Sequence, residues 1–209
     1  MLFSLPSTLL AALALTLPLA SAYKPLSDSF LRGIPTPGDT IAAENSTLLS
    51  PLLIPRVPGT PGQAAAQHHL HSFFSKNLPA WTLTWHNSTA ATPISGGANL
   101  PFANLIVRRE PPWVATGQAN YLTLVAHYDS KYFAQEGFVG ATDSAAPCAM
   151  LMHVAKVLDP HLQRMYDEME ALGEGGTVDM DMGVQILFLD GEEAFASWSD
   201  TEGDSKAKL

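Results

Sequence analysis

The sequence predicts an α/β fold. Two strand-like apolar runs, YLTLVAHYD (121–129) and GVQILFLD (183–190), flank a helix-forming stretch, CAMLMHVAKVL (148–158). Strand, helix and strand in that order imply a sheet covered by helix. In open sheets of this class, ligands bind beyond the carboxyl ends of the strands. Both runs end there in ionisable residues: His127 and Asp129 after the first, and Asp190, Glu192 and Glu193 after the second.

Taken in order, residues 1–22 read as a secretory signal peptide. Residues 9–19 are apolar but too short to span a bilayer, and Ala20-Ser21-Ala22 supplies a small-residue cleavage pattern. The expected location is therefore extracellular, by the secretory route, with no stable membrane anchor. A Pro-rich segment follows up to about Pro61 and is expected as an extended arm with short turns. Thr60 and Pro61 then supply an N-cap and a first helical residue, opening a helix over AAAQHHLHSFFSKNL that ends near Pro79. WTLTWH (81–86) alternates like a half-buried strand, and FANLIVRR (102–109) reads as its neighbour. Pro147 opens the second helix, with Met150, Leu151, Val154 and Leu158 expected on its apolar side. The acidic, Gly-rich residues 167–183 read as a surface insertion. GVQILFLD reads as a central strand bounded by Gly183 and Gly191.

Composition limits the partners. Of 209 residues, 46% are hydrophobic and 15% charged, which suits a globular chain and not a disordered one. A net charge of −9 argues against nucleic acid, whose phosphates require clustered Lys and Arg. It favours cationic ligands such as peptide amino termini. Asn45-Ser46-Thr47 and Asn87-Ser88-Thr89 are glycosylation sequons, which suit the secretory route. Cys148 stands alone, so no internal disulfide forms.

Three segments carry the chemistry: HYDSKYF (127–133), GATDSAAPCAM (140–150) and LDGEEAF (189–195). Crowding carboxylates out of water is unfavourable, because like charges and desolvation both raise their pKa values. A divalent cation removes that penalty, and zinc accepts both carboxylate oxygen and imidazole nitrogen. Glu192 and Glu193 diverge in extended geometry, so one can bind metal while the other faces substrate. His68, His69 and His71 have no acidic residue nearby in sequence, and His68 and His71 read as helix-surface residues.

HYDSKYF, GATDSAAPCAM and DGEEAFASW resemble the secreted glutaminyl-peptide cyclotransferases, relatives of the zinc aminopeptidases of the M28 group. RVPGTPG (56–62) and the helix after it resemble the same family's amino-terminal region. The resemblance implies a three-layer fold around a central mixed, mostly parallel sheet. It also implies a signal peptide at 1–22, an arm at 23–53 and a partial catalytic domain at 54–209. Asp143 and Glu193 match zinc ligands, and Glu192 matches the general acid/base. His127 and Asp129 match the H-x-D that supplies a His ligand in the two-metal peptidases; in the single-zinc branch His127 lines the site. Asp190 is expected to be structural or to support the ligands. Some relatives pair the equivalent of Cys148 with a cysteine just before the His, where this chain has Ala126.

The implied reaction is zinc-dependent conversion of an amino-terminal Gln to pyroglutamate with loss of ammonia, by a monomer acting on peptides or proteins. The alternatives are an M28 aminopeptidase or peptide hydrolase, and an inactive truncated secreted fragment. The family's further zinc His and substrate-pocket Trp fall downstream of the similarity, which stops at about Asp200.

Overall fold

The computed structural model describes residues 27–33, 37–133, 137–173 and 181–196. The expected signal peptide lies outside these residues, as does Trp198 of DGEEAFASW. The chain divides into two units, Met1–Thr36 and Pro37–Leu209. The first contributes a short helix, α1 (Asp28–Gly33). The second holds helices α2 (Pro61–Asn77) and α3 (Ala146–Leu172) and strands β1 (Thr82–Ala91), β2 (Asn99–Arg109), β3 (Asn120–His127) and β4 (Met182–Leu189).

The four strands form one mixed sheet in the order β1-β2-β4-β3, so β4 is internal, as its uninterrupted apolar run predicts. β1 and β2 form an antiparallel hairpin from Thr82↔Arg108 to Ala91↔Asn99. β2 and β4 are antiparallel, and β3 and β4 are parallel. Parallel pairing thus occurs where the strand–helix–strand reading places it. It is one pairing of the three described, because the β1–β2 hairpin and the β2–β4 contact run antiparallel.

α2 and α3 pack on the same face of the sheet. Leu70, Phe74, Met152 and Ala155 from the helices meet Leu105, Val107, Ile186 and Phe188 from the strands. On the other face, Ile106, Leu187 and Leu189 line a shallow cavity of about 280 Å³ with His86, Asn104, Arg108 and Gln185. Val125, in register with Leu187, is 54% exposed. Of the three layers expected, the described residues therefore supply two.

Local expectations fare unevenly. The Thr60 cap is present: its side chain accepts the Gln63 N–H, and Pro61 opens α2. The arm is less extended than its composition suggests, with short 3₁₀ turns at Gly38–Ile41 and Ser50–Leu52. Leu48, Leu49 and Leu52 are buried in the core. α3 buries Cys148, Ala149, Met152 and Ala155, while Met150, expected on the apolar side, is 51% exposed. Small residues face inward there because the helix lies close to β3 and its turn. α3 also runs on to Leu172, so the first part of the expected surface insertion is helical. Met165 and Tyr166 just before it and Met169 within it carry a helical stripe into that stretch, with Tyr166 fully buried.

Candidate metal and catalytic site

The parallel register aligns His127 with Leu189, so the carboxyl ends of β3 and β4 lie level. The Tyr128 N–H donates to the Leu189 carbonyl at 2.8 Å and carries the pairing one residue further. Alternation then sends Tyr128 and its two neighbours to opposite sides. Tyr128 is buried, its hydroxyl donating to the Ala103 carbonyl at 2.7 Å and accepting from Gln67. His127 and Asp129 face the site.

Asp129 is the organising carboxylate. It is fully buried, and its two oxygens accept the backbone N–H groups of Glu192 at 3.3 Å and Glu193 at 3.0 Å. One of them also lies 3.3 Å from His127 Nδ1. A single side chain on the β3 end thus holds both the imidazole and the acidic loop after β4. That loop turns at Gly191, where φ is +77° and a Cβ would sit 2.7 Å from the Phe102 ring. Asp190 is buried before the turn, accepting the Ala103 N–H at 2.9 Å and the Gln63 side-chain amide of α2. Its own N–H donates to Asn104 Oδ1 at 2.8 Å.

The third element is the turn Ala141–Ala145, which ends in α3 and carries Asp143 over the strand ends. Ser144 Oγ and, at 3.1 Å, Cys148 Sγ donate to the His127 carbonyl and tie this turn to β3. The Asp143 carboxylate is 75% exposed and lies 2.7 Å from His127 Nε2. Ligand atoms of His127, Asp143 and Glu193 all fall within 4.8 Å of one another. Glu192 lies beside them, its Oε2 3.8 Å from His127 Nε2 and its side chain 43% exposed.

Electrostatics follow from this crowding. Burial lowers the His127 pKa, but Asp129, Asp143 and Glu192 outweigh it, and the group rises to about 9. Burial raises Glu193, and the charges of Asp143, Asp129 and Glu192 raise it further against the opposing effect of His127. Burial pushes Asp190 up to about 6, with the Ala103 N–H opposing and the Asp129 charge adding.

The donor set fits a divalent cation. His127 has Nδ1 against a buried carboxylate, which leaves Nε2 toward Asp143 and Glu193. A metal-binding histidine characteristically directs its other nitrogen to such a carboxylate. One imidazole with two carboxylates also offers three ligands of the types that zinc accepts, the number a catalytic zinc takes from the protein while it retains an open position.

Residues 104–201 match Peptidase family M28, a span that contains all six of these site residues. The glutaminyl-peptide cyclotransferase-like protein of Bos taurus is 37% identical over 155 residues, covering 73% of this chain and 36% of its own length. The glutaminyl-peptide cyclotransferase of Bos taurus is also 37% identical, over 154 residues. The chain is a relative of the glutaminyl-peptide cyclotransferases. Structure agrees: the Macrostomum lignano glutaminyl cyclase superposes with a TM-score of 0.61 at 30% identity, over 88% of this chain and 47% of that one. The Acidobacteriales bacterium glutaminyl cyclase gives 0.54 at 26% identity, over 88% of this chain and 53% of that one. The chain spans 36–38% of the length of the two bovine cyclotransferase relatives and about half of the two cyclase structures.

Against this cyclotransferase background, the structure brings together His127, Asp129, Asp143, Glu192 and Glu193. His127, which the single-metal reading left as a lining residue, stands with Asp143 and Glu193 in a group that could hold an ion. Asp190 supports the loop from below. Asn45 is exposed in a turn and Asn87 is exposed on β1, away from these strand ends in sequence. His68 and His71 are exposed on α2, while His69 is half-buried with Nε2 3.0 Å from the Leu48 carbonyl. Sequence reasoning missed the support: Gln63, Asn104, Tyr128 and Arg56. Tyr128 was legible from strand alternation. The others, amides and a cation lying far away in the chain, gave no local signal.

Proposed function

We propose that this chain carries the zinc-dependent site of a glutaminyl-peptide cyclotransferase, acting on peptides or proteins that begin with Gln. The observation that carries the reading is the cluster of His127, Asp143 and Glu193 with Glu192 at its edge. His127, Asp143 and Glu193 would hold the ion. Bound there, zinc supplies a Lewis acid that polarises the γ-carboxamide carbonyl of the substrate.

The remaining work falls to the protein. Glu192, half-exposed and free of the buried network that fixes its own N–H, takes a proton from the attacking α-amine. The amine nitrogen bonds to the side-chain carbonyl carbon, closing the five-membered ring. Glu192 then returns the proton to the departing nitrogen, and the carbon–nitrogen bond of the amide breaks to release ammonia. Asp129 keeps Glu192 in place through its backbone N–H and fixes the His127 ring. The acidic character of the chain favours the cationic amino terminus of the substrate on approach.

Secretion through a signal peptide at 1–22 belongs to the same reading, together with glycosylation at Asn45 and Asn87, an arm at 23–53 and a catalytic region from 54 onward. So does a monomeric state. No helix among the described residues is long and apolar enough to cross a membrane.

Incubation of the zinc-loaded chain with a Gln-initial peptide tests the reading, with product mass as the readout. A loss of 17 Da as ammonia, on the order expected for ring closure by Glu192-assisted attack, supports cyclisation. Release of free Gln instead selects the peptide hydrolase, in which Glu192 activates water against the first peptide bond. A chain that binds zinc stoichiometrically yet returns the peptide unchanged selects the inactive reading.

A further inference from the structure

Arg56 is the largest fully buried side chain among the described residues, and it makes no ion pair among them. An arginine is almost never fully buried without a carboxylate partner. Here the whole fork is spent on backbone carbonyls. Nε donates to Tyr128 at 2.6 Å; Nη1 donates to Val139 at 2.7 Å, to Ile54 at 2.9 Å and to Leu52; and Nη2 donates to Gly140 at 3.3 Å. Its backbone joins in, with its N–H donating to Ser130 Oγ at 2.8 Å and its carbonyl accepting the Ser130 N–H at 3.4 Å.

The position of these acceptors matters. Tyr128 lies between His127 and Asp129, and Ser130 follows them. Val139 and Gly140 lead into the turn that carries Asp143, and Gly140 also accepts the Ala145 N–H at 3.1 Å. The two segments that meet at the His127–Asp143 contact are therefore bound, on their backbone side, to one rigid cation from the segment before α2. A charged donor to a carbonyl forms a stronger bond than a neutral one, and the planar fork fixes direction as well as distance. The positive charge also lies among acids: Asp129 and Glu193 act on it electrostatically, against the effect of burial.

We propose that Arg56 is a positioning residue for the metal site, setting the spacing between the His127–Asp129 segment and Asp143. The inference rests on the zinc reading above. Lysine keeps the charge but concentrates its donors at one point, so Arg56→Lys cannot span the Leu52, Tyr128, Val139 and Gly140 carbonyls. Zinc affinity, measured by chelator competition on the folded protein, is expected to fall about tenfold to a hundredfold in Arg56→Lys, as for other groups that orient metal ligands. Cobalt(II) substituted at the site should show altered d–d absorption, a signature that a loss of overall stability does not produce. Ser130→Ala, which removes the acceptor for the Arg56 N–H, provides the test if Arg56→Lys does not fold; its affinity should fall in the same direction. Unchanged zinc affinity and cobalt spectrum in the folded variant, beside tight binding by the wild type, overturn this proposal alone. Failure of the folded wild-type chain to take up zinc overturns the metal reading and this proposal with it.

Discussion

Glu192 and Glu193 are neighbours with separate fates, and the separation is made by Asp129. Its two oxygens hold consecutive N–H groups, so the two side chains leave the loop in different directions. Replacing Glu192 by Gln removes the proposed proton carrier while leaving the side chains of His127, Asp143 and Glu193 intact. Turnover should fall by roughly 10²–10⁴, the usual contribution of a general acid/base, with zinc content unchanged by elemental analysis. Asp129→Asn acts differently: it weakens the hold on His127, and zinc affinity should drop about tenfold or more, as chelator competition can show. Cys148 illustrates a residue with chemistry that the fold suppresses. Its thiol is fully buried, burial pushes it up to about 12, and it donates to the His127 carbonyl. A thiol reagent such as DTNB should leave it unmodified in the native chain at pH 8 and react once denaturant is added.

At the scale of elements, what the sequence made legible was whatever depended on local chemistry. The Thr60–Pro61 helix start, the β1–β2 pairing and the acidic ends of β3 and β4 all follow from neighbours in the chain, and the structure has each of them. The inward face of α3 followed only in part: Leu151 packs half-buried against the core, but Met150, expected on the same side, is exposed. Close approach to β3 fully buries Cys148, Ala149, Met152 and Ala155, which the stripe did not single out. Support of the site was equally hidden: Gln63 on α2 reaches Asp190, and Arg56 reaches Gly140, across separations with no periodicity to reveal them. RVPGTPG stood out by resemblance, and the structure supplies a physical reason for its last glycine. A Cβ on Gly62 would lie 1.8 Å from the Pro55 carbonyl oxygen, a backbone atom that cannot turn aside. Gly62→Ala must therefore move the first turn of α2 away from the Pro55–Arg56 segment. The expected cost is about 1–3 kcal/mol or more, against the small gain that Ala brings to an ordinary helix position, and urea unfolding measures it.

For the molecule as a whole, the acids that define the site also set how stability responds to pH. Asp190 is 2% exposed and is pushed up to about 6, against an unfolded value of about 3.9. Between those values the folded chain keeps a proton that the unfolded chain has lost, so stability from this group falls as pH rises from about 4 to about 6. The loss is on the order of 2–3 kcal/mol once the group is fully ionised in both states. Gln63 and the Ala103 N–H occupy one carboxylate oxygen, while Oδ1 has no hydrogen-bond partner among the described residues. Asp190→Asn can keep the accepting oxygen and place an uncharged amide at the other position. It should flatten the decline in metal-free urea midpoints between pH 4 and pH 6, and a slope equal to that of the wild type would remove Asp190 as its source. Zinc bound at the proposed site would reverse the sign of the local field, since a divalent charge favours ionised carboxylates. Saturating zinc should accordingly raise stability more as pH rises toward about 9, where the His127 proton that the ion must displace is lost at less cost, and the metal-dependent part of the urea midpoint should vanish on chelation.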